Sequence, residues 1–201
     1  MKRTATIIPL LCLLTAMSFS QAAENITLDQ KVRETLELGC YEGCGPIGPR
    51  LLKVGPADAV SAVVLHLAEQ YRNAKAGQQS EEYSLLRASV FALGKLQWKA
   101  ALPLLIDFVT RTDGPQEIVV FALQSIGEID AEGNKTVLLG ALKSQDFFTR
   151  RIAAEALSKT NDTSVLTELE VVASQEDHLD QSRVIQVLAD SMRARMRPIV
   201  K

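Results

Sequence analysis

No stretch of this chain alternates apolar and polar residues, and no two-residue turn joins a pair of such stretches. That pattern excludes a sheet-based fold and leaves helices. Long apolar runs are missing too. The most apolar internal stretch, Val60 to Ala68, is short and contains His66, whereas a membrane-spanning helix needs roughly 20 apolar residues. An excess of basic charge is also absent, since the formal net charge is −2. A general nucleic-acid binder, which needs a basic face to neutralise phosphates, is therefore not expected. No nucleophile turn of the Gly-x-Ser-x-Gly kind occurs, and the Gly-x-Gly-x-x-Gly spacing of Gly43, Gly45 and Gly48 follows no strand, as a phosphate-cradling loop would require, so the sequence predicts neither an enzyme nor a cofactor. Aromatic residues are few, at 5%, and aliphatic residues with alanine dominate, as in helices that stack closely.

Cysteine is scarce as well, and its placement is informative. Cys12 falls in a leader-like segment. Lys2 and Arg3 open it, Ile7 to Ala16 form a short apolar stretch broken by Pro9, and Ser18 to Ala23 make a small, polar exit. This is the pattern of an export signal cleaved after Ala22 or Ala23, so residues 1–23 are read as a signal peptide. The mature chain is expected to be periplasmic or secreted, without a transmembrane segment. Leu11 is too bulky for the position before a lipid-modified Cys12. Losing Lys2 and Arg3 takes the basic count from 22 to 20 against 24 acidic residues, a net charge of −4.

Cys40 and Cys44 then remain, an even pair in an oxidising compartment. A disulfide closing a small loop is the expected outcome. Two other readings stay open: a soft-metal site for Cu(I), or a thiol–disulfide exchange site, although the usual spacing for the latter is Cys-x-x-Cys. Gly45 stands where haem attachment would require a histidine. His66 falls opposite the apolar stripe of its helix and His178 lies in a charged loop, and neither has a partner nearby in sequence for acid–base work.

Residues 24–56 read as an N-terminal cap: a helix over Asn25 to Leu38 stopped by Gly39, then a glycine- and proline-rich loop carrying Cys40 and Cys44. Residues 57–201 read as a repeat array. Pro56 opens a helix striped by Val60, Val63, Val64, Leu67 and Tyr71. Ser80 caps the next, Glu81 to Leu93, which ends near Gly94 and returns as Lys99 to Val109. Pro115 to Ile126, ending at Gly127, returns as Ala131 to Leu142. Phe147 to Leu157 returns as Thr163 to Ala173 behind Asp162, and Asp180 to Met192 is the last long helix. Phe91-Ala92-Leu93-Gly94-Lys95-Leu96 reappears 30 residues later as Phe121-Ala122-Leu123-Gln124-Ser125-Ile126, then more faintly at Ala154 to Leu157 and Val187-Leu188. A period of roughly 30–35 residues marks stacked helical units.

Leu86 to Leu96 followed by Ala100 to Leu105 closely resembles a HEAT-type repeat of the short subtype found in phycobilisome-lyase-like proteins. Thr149 to Leu157 with Val165-Leu166 is a second good copy. The resemblance implies an all-α, right-handed solenoid of about four helix pairs behind the N-terminal cap. It also implies an acid in the turn of one unit facing an arginine of the next, places that Asp130 with Arg151 and Asp162 with Arg183 would fill. Trp98 and Glu117 depart from that ladder. The paired His-Glu steps of iron-binding relatives are missing, because Leu67 follows His66 and Leu179 follows His178. A solenoid's usual product is a surface, and the expected function is non-catalytic binding of another protein, as scaffold, adaptor or inhibitor. The second helices of successive units are expected to line the binding face. Trp98, Arg150, Arg193 and Arg195 are the candidate contact residues, with Arg197 extending the basic C-terminal stretch.

Overall fold

Each predicted helix carries an apolar residue every three to four positions, which gives every element an apolar stripe to bury. A computed structural model describes residues 27–41, 46–75, 80–111 and 113–196. The predicted signal peptide (residues 1–23, with Cys12), Cys44 and Arg197 lie outside the described residues, as does the side chain of Cys40. Among the described residues there are ten α-helices and no strand. They are α1 (Leu28–Tyr41), α2 (Ile47–Leu51), α3 (Ala57–Gln70), α4 (Glu81–Lys95), α5 (Leu102–Thr110), α6 (Gln116–Asp130), α7 (Lys135–Ala141), α8 (Phe147–Leu157), α9 (Thr163–Gln175) and α10 (Leu179–Met196). A 3₁₀ turn, Lys99–Ala101, leads into α5. No helix among them is long and apolar enough to cross a membrane.

Helix starts follow side-chain chemistry. The Ser80 hydroxyl accepts from the Tyr83 N–H at 3.2 Å, the Asp146 carboxylate from Thr149 N–H at 2.7 Å, and Asp162 from Ser164 N–H at 2.8 Å. Each satisfies a donor that the first helical turn leaves open. Pro56 and Pro115 occupy the cap positions of α3 and α6, and Pro103 sits in the first turn of α5, where a missing N–H removes no bond.

Glycines behave differently from the sequence expectation. Gly39 and Gly127 do not stop their helices, which run on to Tyr41 and Asp130, whereas α4 does end beside Gly94, at Lys95. Gly94 and Gly127 serve close packing. A Cβ on Gly94 would lie 2.6 Å from Ser125 Oγ, and one on Gly127 would overlap Ala156. Without side chains at these points the backbones of α4 and α6, and of α6 and α8, come together directly. The Ser125 hydroxyl, buried at that contact, donates to the Val90 carbonyl at 2.8 Å.

Two further expectations are corrected. The segment Gly39 to Pro49 is not all loop: α2 forms within it, and Pro49 falls in the first turn of α2, where it disrupts nothing. The predicted helix over Ala131 to Leu142 begins only at Lys135. Asp130 holds residues 131–134 in a turn, its carboxylate accepting from Gly133 N–H at 2.9 Å and its carbonyl from the Asn134 side chain at 2.8 Å.

The helices form two layers. α4, α6 and α8 lie side by side, and α5, α7 and α9 form the second layer, each lying closest to the helix that follows it. α1 and α3 cover α4 at one end, and α10 rests on α9 and, less closely, on α8. The Phe91 and Phe121 rings, one repeat apart, meet edge to face with centroids 5.6 Å apart, a favoured aromatic geometry. Leu86, Leu93, Leu105, Leu123, Ile126, Leu138 and Leu157 are fully buried along a continuous spine. The array is thus an all-α solenoid.

Candidate functional site

In the second layer the helices touch one another far less than those of the first. The cause is length: α7 has 7 residues, against 9 in α5 and 13 in α9. Short α7 lines one open groove, and a second begins just past its C-terminal end. The first, about 490 Å³, is lined by half-buried Val109, Val119 and Val137, with exposed Thr136 and Gly140 beside Ser144. A Cβ placed on Gly140 would meet no atom within 4 Å. Glycine weakens a helix by about 1 kcal/mol relative to alanine, and here it leaves open space in return.

The second groove, about 630 Å³, is lined by Leu142, Phe147 and Val172, with Lys143, Asp177 and His178 exposed at its margin. Its two banks are tied by Arg150. The guanidinium grips both oxygens of Glu176 at 2.6 Å and donates to the carbonyls of Ser144 and Gln145 at 2.8 and 2.7 Å. It also lies over the Phe147 ring. The Glu176 side chain is only 4% exposed, so the charge pair is desolvated, and bonding to Glu176 raises the Arg150 pKa further above its ordinary value.

The first groove combines aliphatic walls with small polar groups, whereas the second sets Leu142, Phe147 and Val172 among larger polar and charged side chains. The former is the make-up of a surface which buries a partner's side chains and hydrogen-bonds its backbone. Among the described residues no cluster of three or more His, Cys, Asp or Glu is placed to hold a metal ion.

Residues 85–110, covering most of α4, the 3₁₀ turn and α5, match the PBS lyase HEAT-like repeat. That match supports a HEAT-like repeat reading of the helical array. No curated protein matches the chain.

Within the HEAT-like array the sequence-predicted residues have distinct places. Trp98 follows a Schellman-type end to α4. Gln97 takes the left-handed conformation, φ 52°, its N–H bonds Gly94 carbonyl at 3.0 Å, and Trp98 N–H bonds Leu93 carbonyl at 3.2 Å. Trp98 is then the apolar residue that such an end presents to the helix, and it packs half-buried on the core. Its indole N–H is buried without a hydrogen-bond partner. Arg150 is committed to Glu176 and the two carbonyls, and its side chain is 17% exposed. Arg193 pairs with Glu170 and Asp190. Arg195 donates to the Ser158 carbonyl and to the Ser191 hydroxyl.

The acid–arginine ladder takes another form. Asp130 bonds within its own turn, and Arg151 faces Glu155 at 3.7 Å and lies over Phe148. Asp162 pairs with Lys135 of the preceding unit. Bonds from Lys135, and then from Ser164, hold its carboxyl below the usual range. Arg183 is exposed on α10.

Inter-repeat polar contacts instead link the first-layer helices at their starts. Glu117 accepts from Arg87 at 2.9 Å and from Tyr83 at 3.2 Å. Burial, followed by the charge of Glu117, pushes the Tyr83 pKa up to about 12. One unit on, the Gln116 amide donates to Asp146 at 3.0 Å and to Thr149. Further along α4 and α6, Lys95 meets Glu128 at 2.5 Å. Glu117, a departure from the family pattern, thus has a structural role of its own. The 30-residue spacing from Arg87 to Glu117 is the signal that could have revealed its partner.

Proposed function

We propose that this HEAT-like array is a non-catalytic scaffold that docks another protein along the second-layer face, in the groove that α7 lines and the one just past its C-terminal end. The observation that carries the reading is Gly140. It is an exposed helical glycine with open space around it, at the point where any side chain would narrow the 490 Å³ groove. The non-catalytic part rests on the sequence, which offers no nucleophile turn and no glycine motif set after a strand.

Gly140→Leu tests the docking. A Cβ at this exposed position meets no atom within 4 Å, and leucine improves local helix propensity, so thermal stability should hold or rise. A partner recovered by in-cell cross-linking with the wild type should be lost with the variant. Equal recovery from both would move the interface elsewhere.

Export to the periplasm belongs to the same proposal and rests on the leader pattern of residues 1–23. A Cys40–Cys44 disulfide in the cap follows from it, since oxidising compartments favour paired cysteines. Thiol titration of the exported, unreduced protein should find no free thiol. Two reactive thiols in that material would remove the disulfide from the proposal.

A further inference from the structure

α10 is the edge of the described array. Its buried side, Ile185, Ala189 and Met192, faces α8 and α9. The opposite side carries Asp180, Arg183, Val184, Val187, Asp190 and Ala194, all exposed. Val184 and Val187 are 39% and 60% exposed, one helical turn apart, so they form an apolar strip open to water. At 3.6 residues per turn, Arg183 and Asp190 fall on the same flank of that strip, nearly equidistant from Val187 and on either side of it along the axis.

That placement is self-complementary in one orientation only. In an antiparallel pairing of two α10 helices about a two-fold axis through Val187, each Arg183 comes beside the other copy's Asp190. Val187 meets Val187, Val184 lies beside Ser191 on the other flank, and Asp180 comes beside Ala194. A parallel pairing would set Arg183 against Arg183 and Asp190 against Asp190. Like charges in register repel, so the parallel form is disfavoured. The Asp190 carboxylate, though it accepts from Arg193 within its own chain, keeps 55% of its side chain exposed, which leaves room for a second cation.

We infer that α10 is a self-association surface: two copies of this chain pair antiparallel through Val184 and Val187, with reciprocal Arg183–Asp190 ion pairs fixing the orientation. The dimer has an isologous, closed interface. It uses none of the residues that line the groove beside Gly140, so two such grooves would be carried by one particle. A single helix from each copy buries less than the roughly 1,600 Å² of a standard stable complex. The pair should therefore form and separate in the micromolar range.

Sedimentation equilibrium of the full chain tests this, with circular dichroism confirming that each surface variant keeps the wild-type helicity. The wild type should shift from monomer toward dimer as concentration rises from low to high micromolar, and Val187→Asp should stay monomeric throughout. Arg183→Asp and Asp190→Arg should each lose the dimer alone. Mixed together they should regain it. In the mixed pair the introduced aspartate of one copy faces the introduced arginine of the other, and the second, native Arg183–Asp190 pair is kept. Three results would overturn the inference. They are a wild type that stays monomeric, leaving the valines to a different protein; a dimer that survives Val187→Asp; and single variants whose mixture remains monomeric.

Discussion

Gly127 shows how one residue can point two ways until its surroundings are known. Read along the chain, a glycine closing an apolar stretch marks the end of a helix. Folded, it lies three residues before the end of α6, where a Cβ would overlap Ala156 of the neighbouring helix. The two readings predict opposite signs for one substitution. By helix propensity Gly127→Ala stabilises by about 1 kcal/mol. By packing it forces two buried backbones apart and destabilises by about 1–3 kcal/mol. The second effect should win, because Ala156 is itself backed by the core and cannot retreat. A urea titration of wild type and variant decides it, and a raised midpoint for Gly127→Ala would contradict the packing account. Glu117 is a similar case. Its charge was legible, but its partners Arg87 and Tyr83 become neighbours only when α4 and α6 stack. Trp98, by contrast, follows from local chemistry, since the turn after Leu96 needs an apolar residue to close onto the helix.

At the scale of elements, the positions of α3 to α6 and α8 to α10 were legible because the 3.6-residue stripe survives any tertiary context. The length of α7 was not read, although Glu132-Gly133-Asn134 carries a turn signal of its own, and the two grooves depend on that length. Loops were less legible still. Arg150 looked like an outward contact beside Arg151, yet it joins the segment before α8 to the one after α9 through four hydrogen bonds. Nothing in sequence ties residues 26 apart across a loop. Removing that guanidinium leaves Glu176 buried and unpaired, a loss of about 3–5 kcal/mol. Arg150→Ala should lower the melting temperature by several degrees, and Arg150→Lys should recover only part because it cannot hold both carboxylate oxygens. An Arg150→Ala chain as stable as the wild type would show that the pair contributes nothing to the banks of the larger groove.

The described residues form a helical repeat scaffold with one close-knit layer and one splayed layer, and the proposed docking rests on this asymmetry. The first layer is sealed by Gly94, Gly127 and the Phe91–Phe121 pair. The second opens around α7, and no apolar side chain fills the space beside Gly140. Amide hydrogen exchange on the chain alone and with its cross-linked partner tests this most directly. Slowed exchange should appear in α7 and in residues 113–116 and 142–147 when the partner is bound. Protection confined to α4, α6 and α8, with α7 unchanged, would contradict the account.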